Sequence, residues 1–365
     1  MSGTASERIL AVARQKFLKL GFEKCSMDSV ARSARVSKQS LYELYPTKRD
    51  LFTTVMRDAA RLMRERIAPI VVDGRPPFAI LQECIASYVT SFLTLENLGL
   101  YRATLVAGRC FPDLADELHR QRVSGGTALK GYLARLAEEG HIQTNNPADL
   151  HRRLGSTAIE GMRYLMAAPL PSPQQQETLA HCTSLLILHG YRSPQANECA
   201  DVGASGAAPE FVVPATGASM RLPPHRLEAL FQSAANEFLA HGYRGANLTR
   251  ILSAVGVSPA TVYRQFGDKR GLFQHTMLHL CTALWSDAAP APAHGETLSQ
   301  SLHQLARWTL DRHLNPRNLA LLRLLATEAE EFPELARWAY ARMTDEPVRE
   351  LHRRLGEFGE PAPNP

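Results

Sequence analysis

Residues 26–52 read SMDSVARSARVSKQSLYELYPTKRDLF, and residues 248–273 read LTRILSAVGVSPATVYRQFGDKRGLF. Matched helix starts punctuate both stretches. Ser26 aligns with Asn247, Ser37 with Ser258, and Thr47 with Asp268. Side chains of these types accept hydrogen bonds from the free N–H groups of a first helical turn. In the second stretch Pro259 follows Ser258 at the first helical position, where its missing N–H costs nothing. In the first, Thr47 and Asp50 have the spacing of a capping box. The pattern predicts helices over 27–34 and 38–44 joined by a tight turn, then a longer helix from about 48. Two short helices on such a turn make a helix-turn-helix.

Working outward, the likeness runs at a constant offset of 221 positions from Glu7–Phe52 onto Glu228–Phe273. Glu7, Ala13, Phe17, Leu18, Gly21, Val36, Ser37, Tyr42, Lys48, Arg49, Leu51 and Phe52 all meet identical residues in the second copy. A repeat at fixed offset is one structural unit used twice. Gly21 and Gly242 are expected to end a preceding helix of about 5–20 in a left-handed conformation.

Within the unit, Ala13, Phe17, Val30, Ala34, Val36, Leu41 and Tyr45 have the spacing of a shared small core, with Phe266 in the place of Tyr45 in the second copy. Lys38, Gln39, Ser40 and Tyr42 are left near the outer start of their helix, the end that meets base edges in the major groove. Tyr42 and Tyr263 are read as reaching phosphate, against the alternative of packing. Lys48 and Lys269 sit in a first turn, where a cation opposes the helix dipole; a phosphate contact explains them better than local stabilisation. Charge agrees: residues 7–52 hold ten basic and five acidic side chains, and 228–273 hold five and three. The whole chain, at +5, is only mildly basic, which is compatible with nucleic acid and decides nothing alone.

Both stretches resemble the DNA-binding domain of the tetracycline-repressor (TetR) family of bacterial transcription regulators. The resemblance implies that the third helix reads the major groove and that the aligned Tyr and Lys contact phosphate. Those roles fall on Ser37, Lys38, Gln39, Ser40, Tyr42 and Lys48, and on Ser258, Pro259, Ala260, Thr261, Tyr263, Arg264 and Lys269. The family's turn carries Gly, as Gly256 does, but the first copy has Arg35. A left-handed Arg costs about 1 kcal/mol, and Arg35 could regain that through phosphate. Pro259 and Ala260 replace Lys38 and Gln39, removing hydrogen-bond donors, so the first copy is expected to carry more of the sequence readout.

At 365 residues the chain predicts two or more domains. Helical periodicity recurs in 51–67, 78–95, 129–139, 149–166 and 177–191, and again in 226–240, 271–285, 297–314, 318–330 and 334–356. The expected fold is all-α: two tandem TetR-like modules, each a helix-turn-helix domain followed by a helical regulatory domain. The boundaries are 4–52, 53–192, a flexible Ala/Gly/Pro/Ser-rich linker at 193–224, 225–273, and a truncated 274–358. CFPDLADEL (110–118) and EFPELARWA (331–339) share the offset and resemble a helix–helix junction of the family's ligand-binding domain.

Residues 148–168 and 174–192 resemble the last two helices, which in the family pair with a second subunit; a homodimer through residues 148–192 follows. The second copy lacks a counterpart. By analogy, an unknown small-molecule effector would bind among helices 78–165, with Tyr88, Phe92, Tyr101, Arg102, Met162 and Tyr164 as candidate lining, or as plain core.

No cofactor or metal is implied, because no Gly-rich phosphate loop, HExxH pattern or nucleophile elbow occurs. The chain is expected not to be an enzyme. Six scattered cysteines suggest neither a zinc site nor a disulfide framework; Cys84, Cys110 and Cys182 read as core, and Cys25 precedes a helix start that would favour a thiolate. No signal peptide or apolar run of membrane-spanning length is present, so a cytoplasmic location and no membrane partner are expected. Two functions remain open: a regulator, expected to be a repressor, that binds a double-stranded DNA operator, and a protein-interaction derivative of such a regulator. Duplex affinity that falls steeply with salt would single out the first.

Overall fold

The computed structural model describes residues 4–66, 69–124, 127–144, 146–158, 161–190, 211, 222–286, 295 and 297–358. These residues are helical, with no strand among them. They form two compact units. Unit one holds α1 (Ala5–Lys24), α2 (Met27–Ala34), α3 (Lys38–Leu44), α4 (Lys48–Glu65), α5 (Pro77–Phe92), α6 (Leu95–Cys110), α7 (Pro112–Ser124), α8 (Thr127–Glu138), α9 (Pro147–Ala158), α10 (Gly161–Leu165) and α11 (Pro173–His189). Unit two holds α12 (Pro224–Gly245), α13 (Leu248–Val255), α14 (Pro259–Phe266), α15 (Lys269–Ser286), α16 (Leu298–His313), α17 (Pro316–Glu328) and α18 (Pro333–Glu357).

The repeat extends well past the stretch legible in sequence. Each of α12–α18 starts within two residues of the position 221 beyond a helix of unit one, and α5 and α16 match end to end. At the last step the copies diverge. The α7–α8 region of unit one corresponds to one continuous helix, α18, which runs through Pro347. Most of the linker expected at 193–224 lies outside the described residues; α12 begins at Pro224.

Several boundaries correct the sequence reading. The helical backbone of the first helices is interrupted at Gly21 and Gly242, as expected, but a further turn beyond each kink carries them on to Lys24 and Gly245. Both glycines have positive φ (75° and 71°) with extended ψ (170° and 173°), a backbone region essentially restricted to Gly. Of the helix expected over 149–166, α9 and α10 are described, and residues 159 and 160 lie outside the described set. Helices α6 and α7 escaped the periodicity, because α6 buries Leu98 and Ala103 without a clean polar face.

Cysteines also differ from expectation. Cys182 is disulfide-bonded, a pairing that no spacing announced. Cys25 is buried, and burial pushes its thiol up despite nearby Lys48 and Lys16, so the site disfavours the thiolate.

Candidate nucleic-acid interface

The cores that carry the two helix-turn-helix motifs match at eight of the nine positions named below, Val255 being half-buried where Ala34 is buried. Ile9, Ala13, Phe17, Val30, Ala34, Leu41, Tyr45, Leu51 and Phe52 are buried in unit one. Leu230, Ala234, Phe238, Ile251, Val262, Phe266, Leu272 and Phe273 are buried in unit two. The Tyr45 hydroxyl, at the rim, shares a 3.0 Å hydrogen bond with Ser6. Every expected cap forms. Ser26, Ser37, Asn247 and Ser258 accept from the N–H groups of their helices' first turns. Thr47 and Asp50 close a reciprocal box at 3.0 and 3.1 Å, and Asp268 accepts from the Gly271 N–H at 2.8 Å.

Arg35 is left-handed, at φ 54° and ψ 50°, as is Gly256 at φ 63° and ψ 34°. The Arg35 side chain is exposed. Replacing it with Gly is therefore expected to raise the unfolding free energy of unit one by about 1 kcal/mol. If Arg35 also touches phosphate, the same variant binds duplex more weakly; thermal melting and titration separate the two effects.

These folds leave the predicted reading surface outward. Lys38 and Gln39 are exposed, Ser40 is half-buried, and Tyr42 and Tyr263 are 45% and 53% exposed. Ser40 and Thr261 hold their cap hydroxyls, Ser37 and Ser258, at 2.8 and 2.9 Å. Arg264 turns back, its Nε donating to the Ala260 carbonyl at 3.3 Å. Intrachain pairs also engage the polar groups of α3. Lys38 Nζ lies 2.6 Å from the Asp28 carboxylate, and Gln39 donates to Glu43 at 2.9 Å. Both pairs are exposed, where such contacts contribute about 0–1 kcal/mol, so a phosphate or base edge can displace them. Asp28→Asn frees Lys38 and removes a like charge facing phosphate. It is expected to tighten duplex binding several-fold at low salt, measured by anisotropy titration; unchanged affinity would count against Lys38 at the interface.

Lys48 and Lys269 depart from the sequence reading in part. The Lys48 ammonium lies over the Phe22 ring at 4.6 Å. That of Lys269 lies 5.2 Å from the Tyr243 ring centroid and donates to the Ala246 carbonyl at 2.6 Å. Both cations thus have a local role, which spacing alone could not show.

They belong to a joint that sequence reasoning missed. In unit one, Phe17, Phe22, Phe52 and Phe111 stack edge to face, with Phe22–Phe52 at 5.1 Å and Phe22–Phe111 at 4.9 Å. Arg49 covers Phe111 at 4.9 Å. Unit two repeats this with Phe238, Tyr243, Phe273 and Phe332: Tyr243–Phe273 is 5.1 Å, Tyr243–Phe332 is 4.8 Å, and Arg270 covers Phe332 at 4.4 Å. Each ring pair adds about 0.5–1.5 kcal/mol beyond its burial. The joint fastens the start of α4 or α15 to the α6–α7 or α17–α18 elbow. The repeated FPDLA/FPELA was the available signal.

Unit two adds an ionic tie. Glu331 takes Arg244 at 2.8 Å and Arg270 at 3.2 Å, and Glu328 accepts the Tyr243 N–H at 3.0 Å. Unit one has Cys110 and Ala107 at those positions, and joins α4 to α7 elsewhere, through Arg57 and Glu117 at 2.6 Å.

The six effector-site candidates fall into two groups. Tyr88 and Phe92 pack ring to ring at 4.1 Å. Arg102 donates to the carbonyls of Tyr164 and Leu165 at 3.3 and 3.2 Å, holding the end of α10. Phe92 and Tyr164 are buried, and Tyr101 and Met162 half-buried. Two cavities lined by described residues, one between α9 and α11 and one among α15–α18, have none of the six in their walls. The larger is an open groove of about 700 Å³ between α9 and α11, bordered by Leu150, Leu154, Leu186 and Ile187.

Comparison with known proteins agrees with this geometry. The profile of bacterial regulatory proteins of the tetR family matches residues 9–55 and again residues 230–276. The chain carries the TetR-family DNA-binding region twice. HTH-type transcriptional regulators of Mycobacterium bovis and Mycobacterium tuberculosis are 28% identical over 137 residues, 37% of this chain. That match spans 64% of the relatives' length. Among solved structures, a TetR-family regulator from Mesorhizobium loti aligns at 18% identity over 49% of this chain and 93% of its own, with a TM-score of 0.43. PfmR, a TetR-family regulator from Thermus thermophilus, aligns at 23% identity over 51% and 100%, with a TM-score of 0.40. No single helix among the described residues is long and apolar enough to cross a membrane.

Proposed function

We propose that the chain is a ligand-responsive repressor that binds an operator through its TetR-type domains, with α3 as the principal reading helix. The observation that carries this is the exposed, capped start of α3, where Lys38, Gln39 and Tyr42 stand clear of the core. Unit two presents Thr261, Tyr263 and Arg264 at the same level but no base-reading donors at Pro259 and Ala260. It is assigned mainly phosphate contacts, a second arm that adds affinity rather than sequence choice.

A homodimer through 148–192 is part of this reading. The 46% exposure of Leu186 and the groove between α9 and α11 support it. An effector bound among α5–α10 would act by favouring one arrangement of the paired reading helices. The Phe111 joint offers the route from the α6–α7 elbow to α4. The test is selection of duplexes from a random pool by the full chain, then titration at several salt concentrations. A selected sequence with affinity falling steeply in log salt is expected; no enrichment and no duplex binding at low salt would leave the protein-interaction reading.

A further inference from the structure

The small cavity among α15–α18 carries two unsatisfied polar atoms in its wall. Leu284, Leu321, Leu325 and Met343 make its apolar sides, and Arg312 and Asn318 line it with them. Its volume is about 30 Å³, room for roughly two water-sized groups. The Arg312 side chain is 10% exposed and Asn318 is 7% exposed. Arg312 Nη1 donates to the Glu346 carboxylate, and the guanidinium lies 5.2 Å from the Trp308 ring centroid. Asn318 Nδ2 donates to the Arg312 carbonyl. Arg312 Nη2 and Asn318 Oδ1 remain buried with no hydrogen-bond partner among the described residues. The first is a donor and the second an acceptor, and burying either unpaired costs stability. In unit one Asn97 holds the Ser91 carbonyl as Asn318 holds that of Arg312, but Ser91 brings no guanidinium.

We propose that this cavity is a binding site for a small neutral molecule headed by a primary carboxamide. The carbonyl of the head accepts from Arg312 Nη2, and its N–H donates to Asn318 Oδ1, so one group satisfies both buried atoms. Charge selects the neutral head. Glu346 already balances Arg312, so a carboxylate would bring a second negative charge to one guanidinium and offer Asn318 Oδ1 no proton. An ammonium would serve Asn318 but be repelled by Arg312. A hydroxyl meets both atoms through a single oxygen; a carboxamide meets them through two atoms at fixed spacing, which suits room for two groups. The leucines and Met343 take a short apolar body. Helices α15, α17 and α18 also meet at the Phe332 joint, so an occupant loads the helices that hold the second reading motif. The site is separate from the effector site assigned to α5–α10, and its occupancy does not depend on the DNA-binding reading.

The test is titration of the full chain, without DNA, with propionamide, propionate and butanone, read by tryptophan fluorescence and by melting of unit two. Trp308→Phe identifies the responding ring, because Arg312 lies against Trp308. Propionamide is expected to saturate at about millimolar concentration, as so small a ligand allows, with a fluorescence change and a raised melting temperature. Butanone has a methyl in place of the NH2, and propionate carries the charge; each should bind about tenfold more weakly or worse. Arg312→Lys keeps a positive charge beside Glu346 but loses the second donor, and should weaken propionamide by about the same factor with helix content unchanged. Should that variant melt early, propionamide against butanone on the unaltered chain still decides. No saturable response to propionamide overturns the proposal and leaves a cavity that holds solvent only. Equal affinity for propionate or butanone, or undiminished binding by a folded Arg312→Lys, overturns it as well.

Discussion

Lys38→Ala combined with Gln39→Ala is expected to abolish sequence-specific duplex binding by the full chain. A good side chain–base contact discriminates by about 1–3 kcal/mol, so losing two costs about 2–6 kcal/mol, a factor of roughly 30 to 10⁴ in affinity. The fold should not register the change. Both side chains are exposed, and truncating them removes only the surface pairs with Asp28 and Glu43, worth about 0–1 kcal/mol each. Phosphate contacts remain, so residual binding should be independent of sequence and keep its salt dependence. The measurement is anisotropy titration of a selected duplex against a scrambled one. A retained ratio of specific to non-specific affinity would remove α3 from its assigned role. Unit two has Pro259 and Ala260 at those two positions, and Thr261→Ala beside them should shift the ratio far less.

The second large effect concerns stability. Arg354 is fully buried, with Nε on Glu350 at 2.7 Å and Nη1 on the Ser301 carbonyl at 2.6 Å and hydroxyl at 3.3 Å. In unit one the places of Arg354, Glu350 and Ser301 are taken by Leu133, Leu129 and Ile80. Removing one partner of a buried pair strands the other charge and costs about 3–5 kcal/mol. Glu350→Gln and Arg354→Leu are each expected to destabilise unit two on that scale in thermal or denaturant melting. The triple change Ser301→Ile, Glu350→Leu and Arg354→Leu imports the apolar set of unit one. It should be neutral or stabilising, by up to about 4 kcal/mol. A triple variant as unstable as the singles would show that the space around Arg354 cannot accept the apolar packing.

The same network sets a pH dependence. Hydrogen bonds from Arg353 and then Arg354 outweigh desolvation and hold the Glu350 carboxyl down at about 2, below its usual 4.5. A depressed carboxyl stabilises the fold above its unfolded pKa and loses that contribution as pH falls through the folded one. The stability of unit two should therefore drop between about pH 4.5 and 2, and Glu350→Leu in the triple variant should flatten that slope.

The helix-turn-helix was legible because its determinants are local. A cap joins residues three apart, as Ser37 does with Ser40 and Thr47 with Asp50. The apolar positions that build its core recur within one or two turns. The left-handed Arg35 was visible for the same reason, since the offset from Gly256 marks the backbone position. What failed was whatever depends on distant partners. Nothing near Lys269 in sequence announces a carbonyl 23 residues away, and nothing near Arg244 announces Glu331, 87 residues away. A first-turn cation reads as unpaired in sequence, so both lysines pointed to phosphate alone.

By itself, then, the sequence determined the duplicated, capped reading motif and its outward polar face, through contacts made within a few residues. Only the tertiary structure decided which charges are already engaged, that the arginine of an ordinary-looking helix at Arg354 is wholly buried, and that Leu310, Leu314 and Leu319 are exposed where unit one buries Val89, Leu93 and Leu98. An identical apolar position reads the same in a repeat whether or not a later helix packs on it, because burial is a property of what arrives across space rather than of the residue.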